Sequence, residues 1–346
     1  MPAGNKYGTH RVIEPKGVLP QTAWKIDNNV DVVYDNEILC NVITLNIDSA
    51  SFTQIENQAN DDENKIAEII LETVKTRGKQ HNPVTGSGGM FIGVVEKIGE
   101  KLKGKIDLKE GDKIASLVSL SLTPLKINKI LKINKDKDQV DIDGKAILFE
   151  SAIWAKLPDD IPQSVALAAL DVAGAAPQVA RLVKPGDKVL IIGAGGKSGV
   201  LCGYEAKKRA GITGKVYGIT HTESSTKRAE ETGFYDKVLK VDATNPIEML
   251  DVISKETKGE LCDVVINCVN VENTEMGSIL CTKDRGIIYF FSMATSFTKA
   301  ALGAEGVGKD VDMLIGNGYA KDHAIFTLNL LRESKVLRDI FEKLYA

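Results

Sequence analysis

The chain has 346 residues, of which 43% are hydrophobic and 26% charged, and its formal net charge is −3. A chain of this length can fold into two domains with separate hydrophobic cores. The small net charge does not favour nucleic acid as a partner. No apolar run reaches the roughly 18 residues of a membrane-spanning helix, so no membrane partner is expected.

The five cysteines are odd in number, and no two of them have a Cys-x-x-Cys spacing. This pattern argues against a structural zinc site. The opening residues also lack the apolar core of a signal peptide. We therefore expect reduced, mostly buried thiols and a cytoplasmic protein.

The first half of the chain is predicted to be mostly β. Short apolar runs bounded by Gly and Asp predict strands at residues 37–47, 90–99, 112–120 and 145–150. One helix is expected to end near Arg77, because Ile66, Ile70 and Val74 recur at helical spacing. An Asn or Asp at 60–62 would cap its start.

The lysine-rich segment 125–135 contains two copies of Leu-Lys-Ile-Asn-Lys and could be interpreted as a nucleic-acid site. No aromatic residues are interleaved with the lysines, as nucleic-acid stacking would require. Leu125, Ile127, Leu131 and Ile133 instead share one side of a strand, with a slip at 129–130. The pattern favours an exposed strand or hairpin.

From Ala166 onward, apolar strands alternate with helices. The strands are predicted at residues 187–192, 215–220, 237–241, 263–269 and 286–292. Strands separated by helices predict a parallel, doubly wound sheet with right-handed crossovers. The last 25 residues are predicted to be helical.

The strongest local motif is "VLIIGAGGKSGVL", which places Gly193, Gly196 and Gly199 three residues apart, between a strand and a helix. The first glycine permits a sharp turn, the second lets the backbone approach a pyrophosphate, and the third allows the helix to pack closely. N–H groups at the helix start, near Lys197 and Ser198, would then meet the anion. The motif predicts dinucleotide binding.

The next strand should end beside the adenosine ribose, where a carboxylate would favour NAD. Thr220, His221 and Thr222 stand there, and the nearest acid and bases, at 223, 227 and 228, come later. The sequence therefore does not decide whether the cofactor is NAD or NADP. Further cofactor contacts are expected from the ends of the later strands, at Asn267, Cys268, Val269 and Ser292.

The order of motifs resembles the medium-chain dehydrogenase/reductase superfamily over nearly the whole chain. The resemblance rests on "GVVEKIG", "LKEGDKI" and the long run "LPDDIPQSVALAALDVAGAAPQVARLVKPGDKVLIIGAGG". It implies an α/β fold, in which a β-rich GroES-like catalytic domain precedes a Rossmann domain with a doubly wound parallel sheet. The implied bounds are 1–164 for the catalytic domain, completed by helices at 316–346, and 165–315 for the Rossmann domain.

In zinc-dependent members of that superfamily, the glycine corresponding to Gly88 is followed by His-Glu. Here Gly89 and Met90 occupy those positions, and Asp48 lies nearest the place of the first ligand, a cysteine. The resemblance thus implies an enzyme without a catalytic metal, because Asp48 alone falls short of the three protein ligands of a catalytic zinc.

The opening "KYGTHRVIEPKGVLPQTAWKIDN" resembles the L-erythro-3,5-diaminohexanoate dehydrogenases. This resemblance implies oxidative deamination of that diamino acid to 5-amino-3-oxohexanoate and ammonium with NAD or NADP, a step of lysine fermentation. It also implies a homodimer formed through edge strands of the Rossmann sheet, near residues 286–293. The alternatives are a zinc-free NADPH-dependent quinone or enone reductase and a non-catalytic NAD(P)H-binding protein.

Oxidation at a C–N carbon requires a free amine, so a base must accept a proton from the ammonium group. The substrate also carries a carboxylate and a second ammonium, which calls for an arginine and carboxylates in the site. The candidates are Arg11, Glu14, Asp48 and Ser51. The alternative roles are a surface ion pair for Arg11 with Glu14, and a turn or cap for Asp48.

Overall fold

The computed structural model describes residues 1–82, 88–292, 294–316 and 318–346, without the side chains of Ser49 and Ala50. The chain forms two compact units, Met1–Pro158 and Asp159–Ala346. Each unit is built around its own six-stranded sheet.

The first unit is a β-rich domain with antiparallel strand pairing. Its sheet consists of β3 (Glu37–Asn46), β4 (Met90–Ile98), β5 (Lys113–Ser116), β6 (Leu125–Asn134), β7 (Gln139–Phe149) and β8 (Trp154–Lys156). The order across the sheet is β6-β7-β3-β4-β5-β8. A separate two-stranded pair, β1 (Val12–Glu14) and β2 (Lys25–Ile26), precedes it in the chain.

Two helices share the hydrophobic core of this sheet: α1 (Ser49–Ala59) and α2 (Glu63–Arg77). The predicted apolar face of α2 is confirmed, since Ile66, Ile70 and Val74 are all buried. The first of the two helices is not expected from the sequence. Its residues are mostly polar, and the helical spacing of its core side chains rests on three residues only, Phe52, Ile55 and Ala59.

The exposed strand predicted from the lysine-rich repeat is confirmed as β6, an edge strand that pairs with β7. The pairing shifts register between Ile127 and Lys129 and again between Ile130 and Lys132. The slip in the apolar pattern therefore marks an irregularity of the strand, and the lysines belong to its solvated side.

The second unit is a doubly wound α/β domain, and all of its sheet pairings are parallel. Its strands are β9 (Lys188–Ile192), β10 (Lys215–Thr220), β11 (Lys237–Lys240), β12 (Cys262–Asn267), β13 (Thr282–Phe290) and β14 (Asp312–Ile315). They lie in the order β11-β10-β9-β12-β13-β14, which is the Rossmann order. The predicted fold class is confirmed.

Helices cover both faces of this sheet. They are α3 (Gln163–Leu170), α4 (Ala175–Leu182), α5 (Lys197–Ala210), α6 (Glu223–Thr232), α7 (Pro246–Thr257), α8 (Glu275–Cys281), α9 (Phe297–Val307), α10 (His323–Glu333) and α11 (Lys335–Tyr345). The central strand β9 alternates between the two cores: Val189 and Ile191 pack in one, Leu190 and Ile192 in the other. A strand buried on both faces explains the continuous apolar run before the glycines.

The C-terminal helices lie in the second compact unit, where α10 contacts α3 and α4, and α11 contacts α3 and α5. The sequence prediction instead assigned residues 316–346 to the first domain, and that functional division stays a prediction. Among the described residues no single helix is long and apolar enough to cross a membrane. The bent pair α3 and α4, at 52°, passes that test only by length and composition.

One expectation about the sheet edge is wrong. The segment 286–290 belongs to β13, which is hydrogen-bonded to β12 on one side and β14 on the other. The edge strand on this side of the sheet is the short β14, which was not predicted from the sequence. Met293, the last residue of the predicted dimer segment, lies outside the described residues.

Candidate active site

The three glycines of the loop after β9 differ in their surroundings in the way their predicted roles require. Gly193 has a φ of 87°, and a Cβ there would lie 3.2 Å from the Val269 nitrogen. A Cβ at Gly199 would lie 2.1 Å from the Gly193 oxygen, so only glycine allows the helix to pack this closely. A Cβ at Gly196 would meet a single atom at 3.3 Å. The middle glycine therefore borders open space, which suits a pyrophosphate.

Gly196 is the N-cap of α5 and has no side-chain cap. The first N–H groups of a helix have no acceptor within the helix, so those of this first turn can bind an anion. Ser198 lies in this turn and is buried, whereas the Lys197 ammonium is 2.8 Å from an Asp171 carboxylate oxygen. The predicted position of the loop at a helix N-terminus agrees with the geometry, and the lysine charge is already paired.

Two side chains from outside the motif hold the loop in shape. The Tyr235 hydroxyl lies 2.9 Å from the Ala194 oxygen and 2.8 Å from the Gly199 oxygen. The Arg228 guanidinium donates to the Gly195 oxygen at 2.6 Å. Arg228, one of the two bases that follow the predicted ribose site in sequence, therefore donates to the loop backbone.

At the end of β10, the predicted ribose site contains no strand-tip carboxylate on its own strand. The Thr220 hydroxyl is 2.7 Å from that of Thr226, and Thr222 caps α6. His221 is exposed. Asp242 follows β11, and hydrogen bonds from Thr244, together with the nearby His221 ring, lower the pKa of its carboxyl group. An acid that interacts with His221 therefore comes from the segment after the neighbouring strand, which spacing along β10 could not reveal.

The ends of β12 and β13 carry the remaining predicted cofactor residues. Asn267 is fully buried, and its amide donates to the Thr274 and Ser278 hydroxyls at 2.9 and 3.0 Å. Its side chain therefore supports the following loop, and its contact with a cofactor stays a prediction. Cys268 and Val269 lie against the glycine loop, and the Cys268 N–H donates to the Ile192 oxygen at 2.9 Å. The Ser292 hydroxyl accepts from the Ala294 N–H at 3.1 Å.

In the first unit, Asp48 is the N-cap of α1, so its predicted alternative role as a capping residue is real. One carboxylate oxygen accepts from the Ser51 N–H at 3.0 Å, and the other accepts from the Ser51 hydroxyl at 2.5 Å. The Asn82 amide donates to that hydroxyl at 3.0 Å. Asn82, Ser51 and Asp48 form a hydrogen-bonded chain that ends on a half-buried carboxylate.

The double glycine Gly88–Gly89 passes directly beside this chain, and Gly89 and Met90 hold the positions of the His-Glu pair in the zinc-dependent enzymes. Gly89 has a φ of 89°, and a Cβ there would lie 2.1 Å from the Asn46 oxygen and 2.8 Å from the Asp48 nitrogen. A Cβ at Gly88 would lie 2.6 Å from the Ser121 nitrogen. No side chain fits at either position, so the backbone itself fills the space next to Asp48.

Arg11 does not have a donor to offer a substrate. Its guanidinium is fully buried and forms a bidentate pair with Glu37, at 2.6 and 2.7 Å. The remaining donors are taken by the Asn29 and Val32 carbonyl oxygens at 3.0 and 2.6 Å, and by Asp27. Because all five N–H groups have acceptors, the interpretation of Arg11 as a substrate ligand is not supported by this geometry.

Glu14 is exposed at the end of β1, and its backbone oxygen accepts from the Trp24 N–H at 2.7 Å. In the described residues, no hydrogen bond or ion pair joins its carboxylate to Arg11 or Asp48. The structure therefore brings Asp48 and Ser51 together, but not Arg11 and Glu14. The partner of Arg11 is instead Glu37, whose pKa is lowered because its hydrogen bonds to Arg11 and His10 outweigh burial.

The segment that leads from α2 to the double glycine was missed by sequence reasoning. Lys79 is fully buried, and its ammonium donates to the Pro20 and Gln21 oxygens at 2.7 and 3.1 Å. Burial, together with nearby positive charge, lowers the pKa of Lys79 to about 8 and that of His81 to about 4. A sequence signal existed, since "KQHN" is a polar run before the glycines, but nothing marked it as buried.

The comparisons with known proteins address the family. Residues 10–158 match the model of the L-erythro-3,5-diaminohexanoate dehydrogenase N-terminal domain. The L-erythro-3,5-diaminohexanoate dehydrogenase of Acetoanaerobium sticklandii is 63% identical over 342 residues, 99% of each chain. That of Fusobacterium nucleatum is 59% identical over 345 residues, 100% of each chain.

Solved structures support the fold alone. An Escherichia coli quinone oxidoreductase complexed with NADPH has a TM-score of 0.52 at 17% identity, covering 90% of this chain and 81% of its own. A Pseudomonas syringae quinone oxidoreductase has a TM-score of 0.53 at 17% identity, with 91% and 85% covered. The motifs, the folds of the two units and the full-length relatives lead to one assignment: the chain belongs to the L-erythro-3,5-diaminohexanoate dehydrogenase family.

Proposed function

We propose that this protein oxidatively deaminates L-erythro-3,5-diaminohexanoate to 5-amino-3-oxohexanoate and ammonium, with reduction of NAD or NADP. The observation that carries this proposal is the 63% and 59% identity, over essentially the whole length, to two enzymes of that name. The alternative, a quinone or enone reductase, is supported only by a similar fold in solved structures at 17% sequence identity.

The second unit supplies the dinucleotide site. Its open backbone position at Gly196 and the uncapped start of α5 suit a pyrophosphate. When bound, the dinucleotide supplies the acceptor for the hydride that leaves the substrate carbon. With a histidine and an acid near the end of β10, we infer that both NAD and NADP are accepted.

The first unit supplies Asp48. Hydride can leave C3 only when the amine lone pair is free to form the carbon–nitrogen double bond, so the ammonium must first lose a proton. Asp48 anchors this ammonium and accepts its proton. Ser51 and Asn82 fix the carboxylate, because each donates along the chain toward it. Water then adds to the iminium carbon of the substrate, and ammonia leaves.

We also infer that the reaction proceeds without a catalytic zinc. Gly89 and Met90 occupy the two ligand positions, and the Gly89 backbone lies against Asp48. Neither residue can provide the imidazole or carboxylate that a zinc site would need there. Stoichiometric zinc in the purified enzyme, with activity lost on chelation, would overturn this inference.

The assembly expected from the resemblance is a homodimer. The free edge of β14 offers backbone N–H and C=O groups to a second copy of the sheet. Light scattering coupled to size exclusion would give the mass of the particle in solution, and a monomer at micromolar concentration would contradict the dimer.

The test of the activity is an assay of the purified protein with L-erythro-3,5-diaminohexanoate at mildly alkaline pH. Formation of NADH or NADPH is followed together with release of ammonium, in a ratio of one to one. A matched arm uses NADPH with a simple quinone or enone. Turnover of the quinone or enone, without turnover of the diamino acid, would replace this proposal with the reductase alternative.

A further inference from the structure

Two cysteines lie side by side next to the glycine loop. Cys202 is on α5 and is fully buried, whereas Cys268 follows β12 and is half-buried. Both thiols are free, and their sulfur atoms are 3.8 Å apart. The other three cysteines, Cys40, Cys262 and Cys281, are fully buried.

The backbone at Cys268 is part of the wall of the loop. A Cβ built on Gly193 would lie 3.4 Å from the Cys268 carbonyl carbon and 3.2 Å from the Val269 nitrogen. On the other side, α5 carries Cys202 and begins directly after its N-cap Gly196. Cys202 and Cys268 therefore lie on the two backbone segments that border the glycine loop.

We propose that Cys202 and Cys268 form a reversible disulfide when the enzyme meets a peroxide, and that this bond weakens dinucleotide binding. The second half of the proposal rests on the proposed function, because it takes the glycine loop as the dinucleotide site. A disulfide requires a sulfur–sulfur distance of about 2.05 Å, so the two sulfur atoms must approach by nearly 2 Å. The bond then ties the segment after β12 to α5, which restrains the turn at Gly193 and the start of α5.

The chemistry is balanced by the peroxide. The Cys268 thiolate attacks a peroxide oxygen, the O–O bond breaks, and the sulfur becomes a sulfenic acid while hydroxide leaves and is protonated to water. The Cys202 sulfur then attacks the Cys268 sulfur. The S–O bond breaks, water leaves with the proton of Cys202, and the S–S bond remains. Two thiols are oxidised by two electrons, and one hydrogen peroxide is reduced to two water molecules.

The environment assigns different roles to the two thiols. Cys268 is the one within reach of a dissolved oxidant. Its hydrogen bond with Cys202, together with full burial, raises the pKa of the Cys202 thiol well above its ordinary value. Cys202 therefore stays protonated and protected until a sulfenic acid forms next to it, and it then acts as the resolving thiol.

The test uses the full chain and three proteins: the wild type, Cys202→Ala and the control Cys40→Ala. Each is treated with hydrogen peroxide, alkylated and mapped by mass spectrometry, and the Kd for NADH and NADPH is measured before and after. We expect a 202–268 disulfide in the wild type and in Cys40→Ala. In both, Kd should rise at least about tenfold, and dithiothreitol should restore it. In Cys202→Ala we expect no such disulfide and no reversible loss.

The proposal would be overturned if Cys268 were oxidised further without forming the 202–268 disulfide. It would also be overturned if the disulfide formed and the Kd did not change. An equal, thiol-reversible loss in Cys202→Ala would do the same. If the untreated protein bound neither dinucleotide, the cofactor assignment would fall as well. A failure seen only after oxidation concerns this proposal alone.

Discussion

The glycine loop of the second unit and the Asp48 chain of the first unit are built in opposite ways. The loop presents backbone atoms from seven consecutive residues, 193–199, four of which are glycines without side chains. The Asp48 chain consists of side chains, and Asn82 stands 31 positions from the Ser51 to which it donates. Local sequence determines the geometry in the first case, and tertiary contacts determine it in the second.

This difference has a practical consequence for substitutions. In the loop, any added atom interferes with the ligand or with packing, so the identity of the residue matters more than its charge. In the Asp48 chain, isosteric changes keep the shape and alter only charge or hydrogen bonding. The two regions can therefore be probed separately: dinucleotide affinity reports on the loop, and kcat/KM for the diamino acid reports on the chain.

The largest effect is expected at Arg11, whose buried contacts lie outside both the glycine loop and the Asp48 chain. Arg11→Met leaves the Glu37 carboxylate buried without its bidentate partner, which costs about 3–5 kcal/mol. Urea unfolding should show this loss. The control is Arg285→Met, since Arg285 is 90% exposed and its ion pair at 3.8 Å is loose. Near-normal stability of Arg11→Met with a raised KM would restore Arg11 as a substrate ligand.

Arg11 also shows where sequence reasoning stops. Arg11 and Glu14 are three residues apart, and that spacing suggested a pair. The true partner lies 26 positions away on β3, and the carbonyl acceptors come from the loop after β2. The loop at Gly193–Gly199 and the slip in β6 were predictable because local spacing alone determines them. Contacts such as Asn82 with Ser51 depend on how distant segments pack, which spacing cannot supply.

The next effect is a pH dependence of stability caused by Lys79. Its pKa is about 8 in the folded protein, against an ordinary value of 10.5. Between these values the unfolded chain binds more protons, so the free energy of unfolding should rise with pH from about 8 to 10.5. The full rise is at most about 3.5 kcal/mol, at ~1.4 kcal/mol per pH unit.

Lys79→Met isolates this contribution, because other lysines and tyrosines titrate in the same window in both proteins. The wild type should gain stability relative to Lys79→Met as the pH increases from 8 to 10.5. The measurement is urea unfolding of both proteins at half-unit steps. Parallel curves across this window would show that the buried ammonium has an ordinary pKa.

A comparable effect, on activity only, is expected at Asp48. Asp48→Asn keeps the shape of the cap and removes the charge that we propose holds and deprotonates the substrate ammonium. We expect kcat/KM to fall at least about a hundredfold, or ~2.7 kcal/mol, with Kd for the dinucleotide unchanged.

The chain offers a matched control for Asp48 in the very next helix. Asp62 caps α2 by accepting from the Asn64 and Lys65 N–H groups, so Asp62→Asn tests the loss of a capping carboxylate alone. Glu14→Gln, on an exposed residue, should stay within about threefold of the wild type in kcat/KM. If Asp48→Asn behaves like Asp62→Asn, the carboxylate is only a helix cap. A hundredfold loss in Glu14→Gln would instead return the catalytic role to the N-terminal segment.

A smaller effect is expected in the glycine loop. Gly196→Val places three carbons in the space where the pyrophosphate approaches, because a Cβ there meets only the Gly193 oxygen, at 3.3 Å. Kd for NADH or NADPH should rise at least about tenfold, or ~1.4 kcal/mol, without loss of folding. The control, Gly306→Val, lies on α9 where a Cβ has no neighbour within 4 Å. Unchanged affinity in a folded Gly196→Val would remove the dinucleotide from this loop.

The smallest effect is expected at Asn82, and it tests whether the Asp48 chain acts as a unit. Asn82 donates to the Ser51 hydroxyl, so the hydroxyl hydrogen is directed to Asp48. Asn82→Ala leaves Ser51 free to rotate but still able to donate, which should lower kcat/KM about fivefold, or ~1 kcal/mol.

Ser51→Ala should lower kcat/KM further, because it removes the contact with the carboxylate itself. If the effect of Asn82 passes through Ser51, the loss in the double variant should match that of Ser51→Ala alone. If the fold-losses of the two single variants multiply in the double variant, Asn82 contributes by a separate route, and the three side chains do not act as a unit.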